Sequence, residues 1–176
     1  MAKAVFLDRD GTININEGYC TNPGDLRLFP WTAESIKTLN RLGYKVIVVT
    51  NQQAIAKGLL LPETLVRIHL RMRAILEASG AKIDRVYFCP HSEDSRCSCR
   101  KPKRGMIDQA LKDFEIDLKN SFVIGDESKD IELGKLVGCR TISVGKESFG
   151  ADLHCKNLKV AVRGIWSWDR LSHSKN

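Results

Sequence analysis

The 176-residue chain has no apolar run approaching about 18 residues, the length a helical membrane span needs, so no such span is predicted. Its first apolar stretch begins almost at the N-terminus and leaves no room for a signal peptide, so a cytoplasmic protein is expected. Aromatic residues make up only 7%, which argues against the stacking platforms of single-strand nucleic-acid readers. No internal repeat or low-complexity segment occurs, which sets repeat arrays aside. The length suits one domain over residues 1–176 and is short for two. What is present is an ordinary globular balance, 43% hydrophobic and 28% charged. The formal charge of +7 suits an anionic partner, a phosphorylated metabolite or a nucleic acid, or simply a well-solvated surface.

The apolar run Val5-Phe6-Leu7 ends abruptly in Asp8-Arg9-Asp10-Gly11-Thr12, and the other elements are read from that point. Such a run reads as a strand buried on both faces, as in a parallel sheet. Residues 14–27 read as a loop that must pass over the strand's carboxyl end. Pro30 precedes a helix with Ile36, Leu39 and Leu42 on one face, and Tyr44 to Val49 is a second strand. Pro62 opens a longer helix with Leu65, Ile68, Met72, Ile75 and Leu76 as its inward stripe; His69 lies off that stripe and is predicted exposed. Further strands are predicted at 83–88, 121–124 and 140–144, with helices from Met106 and over 130–137 between them. In the tail, 158–162 reads as an edge strand and 165–171 as a final helical turn or two. Strands alternating with helices predict βαβ units, hence an α/β fold: a three-layer, Rossmann-like parallel sheet of order 3-2-1-4-5.

That order matters because three polar strand ends then converge where ligands of open α/β sheets bind. They are Asp8 and Asp10; Thr50 and Asn51; and Asp126 with Asp130. Alone, Asp-X-Asp-Gly is also what a plain turn looks like. In company, two carboxylates can hold a hard cation such as Mg²⁺, and one can attack phosphorus as a nucleophile. Arg100 and Lys101 stand in a basic knot between these segments. A lysine ammonium suits a phosphoryl charge, and the forked donors of Arg100 suit a second phosphate or a carboxylate. Cys89-Pro90-His91 and Cys97-Ser98-Cys99 offer four soft or borderline ligands, the count of a closed structural Zn²⁺ site, and zinc there would tie down the loop ending in Arg100 and Lys101. Cys20, Cys139 and Cys155 stand apart as ordinary residues.

Asp8-X-Asp10, Thr50-Asn51-Gln52, Arg100-Lys101-Pro102 and Gly125-Asp126-X-X-X-Asp130 resemble, in order, the four motifs of haloacid dehalogenase-type phosphatases. That resemblance implies Asp8 as the nucleophile, Asp10 as the acid and base, Thr50 and Lys101 as phosphoryl contacts, and Mg²⁺ held by Asp8, Asp10 and Asp126. The Cys-Pro-His and Cys-X-Cys-Arg-Lys-Pro runs narrow it to the branch that holds heptose-bisphosphate 7-phosphatases and histidinol-phosphate phosphatases. Zinc on Cys89, His91, Cys97 and Cys99 belongs to that pattern. No large cap is inserted between the motifs, so a capless enzyme with a loop-shaped site is implied. Asn16, Glu17, Gly18, Tyr19, Thr50, Asn51, Gln52 and Gln53 would line the substrate site, with Arg100 reading the distal phosphate.

Two spans, Asp8 to Asn14 and Thr50 to Gly58, are closer to the heptose enzymes; the short spacer from His91 to Cys97 is closer to the histidinol enzymes. Glu127 follows Asp126 where many heptose enzymes carry a Lys. The expectation is a Mg²⁺-dependent phosphatase that removes the 7-phosphate of D-glycero-D-manno-heptose 1,7-bisphosphate through an aspartyl-phosphate. It would act as a monomer on a small phosphorylated sugar, with neither nucleic acid nor membrane as partner. Histidinol phosphate, a polynucleotide 3′-phosphate, and a non-catalytic zinc module that binds nucleic acid are the rivals.

Overall fold

The computed structural model describes residues 1–173, with backbone alone for 171–173. Among the described residues, six strands and five α-helices follow one another, alternating until β6 comes directly after β5: β1 (Ala4–Leu7), α1 (Thr32–Arg41), β2 (Lys45–Asn51), α2 (Pro62–Ala78), β3 (Arg85–Cys89), α3 (Gly105–Asp113), β4 (Phe122–Gly125), α4 (Ser128–Val137), β5 (Arg140–Val144), β6 (Leu153–Cys155) and α5 (Leu158–His173). All strand pairs are parallel, in the order β3-β2-β1-β4-β5-β6. This is the expected order with one strand added at the β5 edge. β1 is the central strand, and its alternate residues feed two separate cores. Val5 and Leu7 point into one with Ile36, Leu39, Leu65, Ile68, Met72 and Ile165. Ala4 and Phe6 point into the other with Met106, Ile107, Ala110 and Leu133. A strand with helices on both faces must be apolar at every position, which is why Ala4 to Leu7 reads as an unbroken run.

The tail departs from expectation. The edge strand is Leu153–Cys155, and 158–162, predicted extended, opens a helix instead. Leu158, Ala161, Val162 and Ile165 are all buried and follow a helical period, so the tertiary core selected the 3.6-residue repeat over the β-branched composition. Asn157 caps it, its side chain accepting from the Val160 N–H at 3.1 Å. His69, predicted exposed, is buried at 7% exposure, while Ile75, predicted inward, is 37% exposed. The stripe on α2 is therefore rotated toward His69, and the reason lies beneath it in the site.

Candidate functional site

β1 and β4 end side by side, with the Asp8 N–H donating to Ile124 O at 2.9 Å. That pairing brings Asp8 and Asp126 together from positions 118 residues apart in sequence. Gly11 sits at φ +88°, and a Cβ there would lie 2.0 Å from Asp126 Oδ2. The turn after β1 thus admits only glycine, because both the backbone conformation and the close approach of the second acid forbid a side chain. Gly125 is closed in the same way: a Cβ would meet the Asp130 carboxylate at 2.2 Å.

Lys101 lies at the centre, fully buried. Its Nζ donates to Asp8 Oδ1 at 2.5 Å and to Asp130 Oδ1 at 2.6 Å. Asn51, the last residue of β2, fixes the Lys101 backbone at two points: Oδ1 accepts its N–H at 3.0 Å and Nδ2 donates to its carbonyl at 3.3 Å. Asp130 also closes the first turn of α4, accepting from the Glu127 N–H in a capping box. One carboxylate thus serves both the helix start and the ammonium.

Asp8, Asp126 and Asp130 each present an oxygen, all within 4.8 Å of one another. Burial pushes the Asp8 carboxyl well up, with Asp130, Asp126 and Asp10 adding to the push and Lys101 opposing it. Burial, with Asp130 and Glu127, pushes Asp126 up to about 6. Burial works against the Lys101 charge, but Asp130 and Asp8 outweigh it and keep the side chain protonated. Three acids facing one ammonium leave an excess of negative charge that a divalent cation would balance, so the oxygen donors suit Mg²⁺.

Asp10 belongs to a different network. Its carboxylate accepts from Arg9 Nη2 at 2.9 and 2.8 Å, from Asn14 Nδ2 at 2.9 Å and from Gln52 Nε2 at 2.9 Å. Burial pushes its carboxyl up, yet Arg9 and these hydrogen bonds outweigh that and hold it below the usual range. Arg9 is itself 1% exposed and sits 3.2 Å from His69 Nε2 through Nη1. His69, pushed down to about 3 by burial and by Arg9, is neutral and accepts that bond. Sequence reasoning passed over Arg9, Asn14 and His69. Asp130 is read in the sequence together with Asp126, though not among the Mg²⁺ ligands.

Above these acids a cleft of about 220 Å³ is lined by Asp10, Asn16, Gly18, Tyr19, Asn51, Gln52, Gln53 and Arg100 among the expected residues. Arg9, Cys20, Glu127 and Lys129 join them. Thr50 lies beneath, accepting from Gln52 Nε2 at 2.8 Å. Glu17 is exposed and does not line the cleft. Glu127 and Lys129 both line the cleft and are paired with each other.

Beside the cleft, Cys89, His91, Cys97 and Cys99 cluster, with Cys89 Sγ 3.1 Å from Cys99 Sγ and 3.7 Å from Cys97 Sγ, and His91 Nδ1 3.3 Å from Cys99 Sγ. Burial pushes Cys97 up, but the Arg100 N–H and Ser95 outweigh it and hold the thiol down to about 6. A ready thiolate in a Cys₃His tetrad suits Zn²⁺. The loop delivers Arg100, which donates to His91 O at 3.2 Å and Glu93 Oε1 at 2.8 Å.

Comparison with known proteins gives the same answer. The HAD-hydrolase-like family model matches residues 98–161. The D-glycero-beta-D-manno-heptose-1,7-bisphosphate 7-phosphatase of Helicobacter pylori is 38% identical over 168 residues, covering 93% of this chain and 97% of its own. The enzyme of that name from Pasteurella multocida is 38% identical over 141 residues, 77% of each chain. Among solved structures, D,D-heptose 1,7-bisphosphate phosphatase from B. bronchiseptica, complexed with magnesium and phosphate, superposes with a TM-score of 0.86 at 27% identity over 94% of this chain and 98% of that one. Identity at this level over nearly the full length of a relative places the chain in the HAD-like phosphatase family that includes the heptose-1,7-bisphosphate 7-phosphatases.

Proposed function

We propose that the protein removes the 7-phosphate from D-glycero-β-D-manno-heptose 1,7-bisphosphate, with residues 1–176 acting as one monomeric domain. The observation that carries this reading is the buried Lys101 bridging Asp8 and Asp130 beneath a cleft whose mouth holds Arg100 and Lys129. A bisphosphate needs cationic groups at both ends, and Lys101 on one side with Arg100 and Lys129 on the other supply them. Asp8 is the nucleophile: its Oδ attacks the 7-phosphorus, the P–O bond to the sugar breaks, and an aspartyl-phosphate forms. Mg²⁺ held by carboxylates of the Asp8, Asp126 and Asp130 cluster would neutralise phosphoryl charge. Asp10, expected both beside the Mg²⁺ and as the acid and base, has its carboxylate engaged by Arg9, Asn14 and Gln52, which supports the role in proton transfer.

Lys101 and Thr50 meet the phosphoryl oxygens. Asp10, held as a carboxylate, is in the form that draws a proton from the water hydrolysing the aspartyl-phosphate. For the first step it must carry a proton to the leaving sugar oxygen. A phosphomonoester, whose second pKa lies near about 6, brings one into the site. Arg100 and Lys129 take the 1-phosphate, with Asn16, Gly18, Tyr19 and Gln53 around the sugar. Six free cysteines and a Cys/His metal cluster fit a reducing, cytoplasmic setting.

A side-by-side assay with Mg²⁺ tests the substrate. Heptose bisphosphate should exceed histidinol phosphate and a 3′-phosphorylated oligonucleotide by at least about tenfold in kcat/KM. Equal turnover of histidinol phosphate would overturn the choice. Asp8→Asn should cost about a thousandfold or more in kcat with an unchanged melting curve, and milder loss would remove it as nucleophile.

A further inference from the structure

A second cavity, of about 520 Å³, lies between α1 and α5 and shares no lining residue with the phosphatase cleft. Its walls include the rings of Trp31 and Trp166 and the side chains of Pro30 and Val162. Trp31 is held flat against Phe29, centroids 5.1 Å apart at 9°. Its indole nitrogen is shielded from solvent, so the wall it offers the cavity is carbon. Lys159 and Arg163 stand at the rim, and Arg170 lies 4.6 Å from the Trp166 ring. The single acid in the wall, Glu34, is offset by Arg41 at 3.6 Å. The cavity therefore combines apolar aromatic walls with an excess of positive charge.

We infer that this cavity binds a small aromatic anion, with a planar ring against the tryptophan walls and a carboxylate facing Arg163 and Lys159. The volume is that of an ordinary small-molecule site, and most ligand sites pair apolar walls with a few placed polar groups. An apolar body without charge would leave the cations unmatched. An inorganic anion would leave the rings bare. A ligand with both parts satisfies both, and its headgroup would meet Arg163 through two parallel hydrogen bonds.

The test titrates the full chain, loaded with zinc and Mg²⁺, with 1-naphthoate by calorimetry. Saturable binding on the order of 0.1 mM is expected for a ligand of this size. Its uncharged analogue 1-naphthalenemethanol should bind at least about tenfold more weakly. Arg163→Glu and, separately, Trp166→Ala, which removes one aromatic wall, should each weaken 1-naphthoate severalfold while phosphatase turnover stays unchanged. The inference is overturned by absence of saturable binding below about 1 mM, by binding indifferent to both substitutions, or by a dimer that closes the cavity against the probe.

Discussion

At the scale of single residues, the site is a set of acids kept apart by what holds them. Asp8 and Asp126 are crowded with Asp130, whereas Asp10 is drawn off by Arg9, Asn14 and Gln52. His69 is the far end of that second network, and it sets a pH dependence. Its folded pKa, near 3, lies below the unfolded value near 6.5, so between those limits the unfolded chain binds a proton that the folded one refuses. Stability is then full above about pH 6.5 and falls as pH drops, by about 2 kcal/mol at pH 5. His69→Gln, which retains an acceptor for Arg9, should flatten the slope of denaturant-measured stability between pH 7 and 5; an unchanged slope would show that His69 already titrates in the folded state. Gly11 offers a second test. Gly11→Ala meets both a positive φ and the Asp126 carboxylate, so it should lower stability by about 1–3 kcal/mol and weaken Mg²⁺ binding, read by thermal melting with and without the ion.

At the scale of elements, the loop between β3 and α3 decides how Arg100 and Lys101 face the cleft. Lys101 is secured by Asn51, by Asp8 and by Asp130, but Arg100 hangs on His91 and Glu93 within the cysteine loop itself. Zinc removal should therefore separate the two. A chelator strong enough to strip the tetrad should release roughly one zinc per chain, raise KM severalfold and leave kcat within about a factor of three. A fully active, zinc-free protein with unchanged KM would refute a structural zinc. The helical tail shows the same division between local and distant causes. Leu158 to Val162 contains β-branched residues that suit a strand, yet Lys3 and Tyr44 both donate to Asp169 at 2.9 Å, tying the far end of α5 back to the start of the sheet.

At the scale of the whole molecule, the +7 charge has to be assigned either to small phosphorylated ligands or to nucleic acid. Among the described residues, Arg100 and Lys129 line the phosphatase cleft and Lys159 and Arg163 the α1–α5 cavity, so these cations flank pockets of small-molecule size. Gel-shift assays with random single and double strands should therefore show no shift at about 150 mM salt, where phosphate-driven contacts are weak. A shift that persists there would revive a nucleic-acid role. No helix among the described residues is long and apolar enough to cross a membrane.

The sheet order and the four-motif site were legible in the sequence because each rests on short, local patterns: apolar runs of strand length, each ending in a polar cluster. The Cys/His cluster was legible because its members come in two close pairs. Left to the tertiary structure were the separation of Asp10 from the other acids, the burial of His69, the helix at 158–162 and the cavity between α1 and α5. Each depends on side chains brought together across many residues of sequence, and local pattern carries no record of such partners. The order of the strands was written in the chain; which acid would meet which base was decided only when the strands had packed.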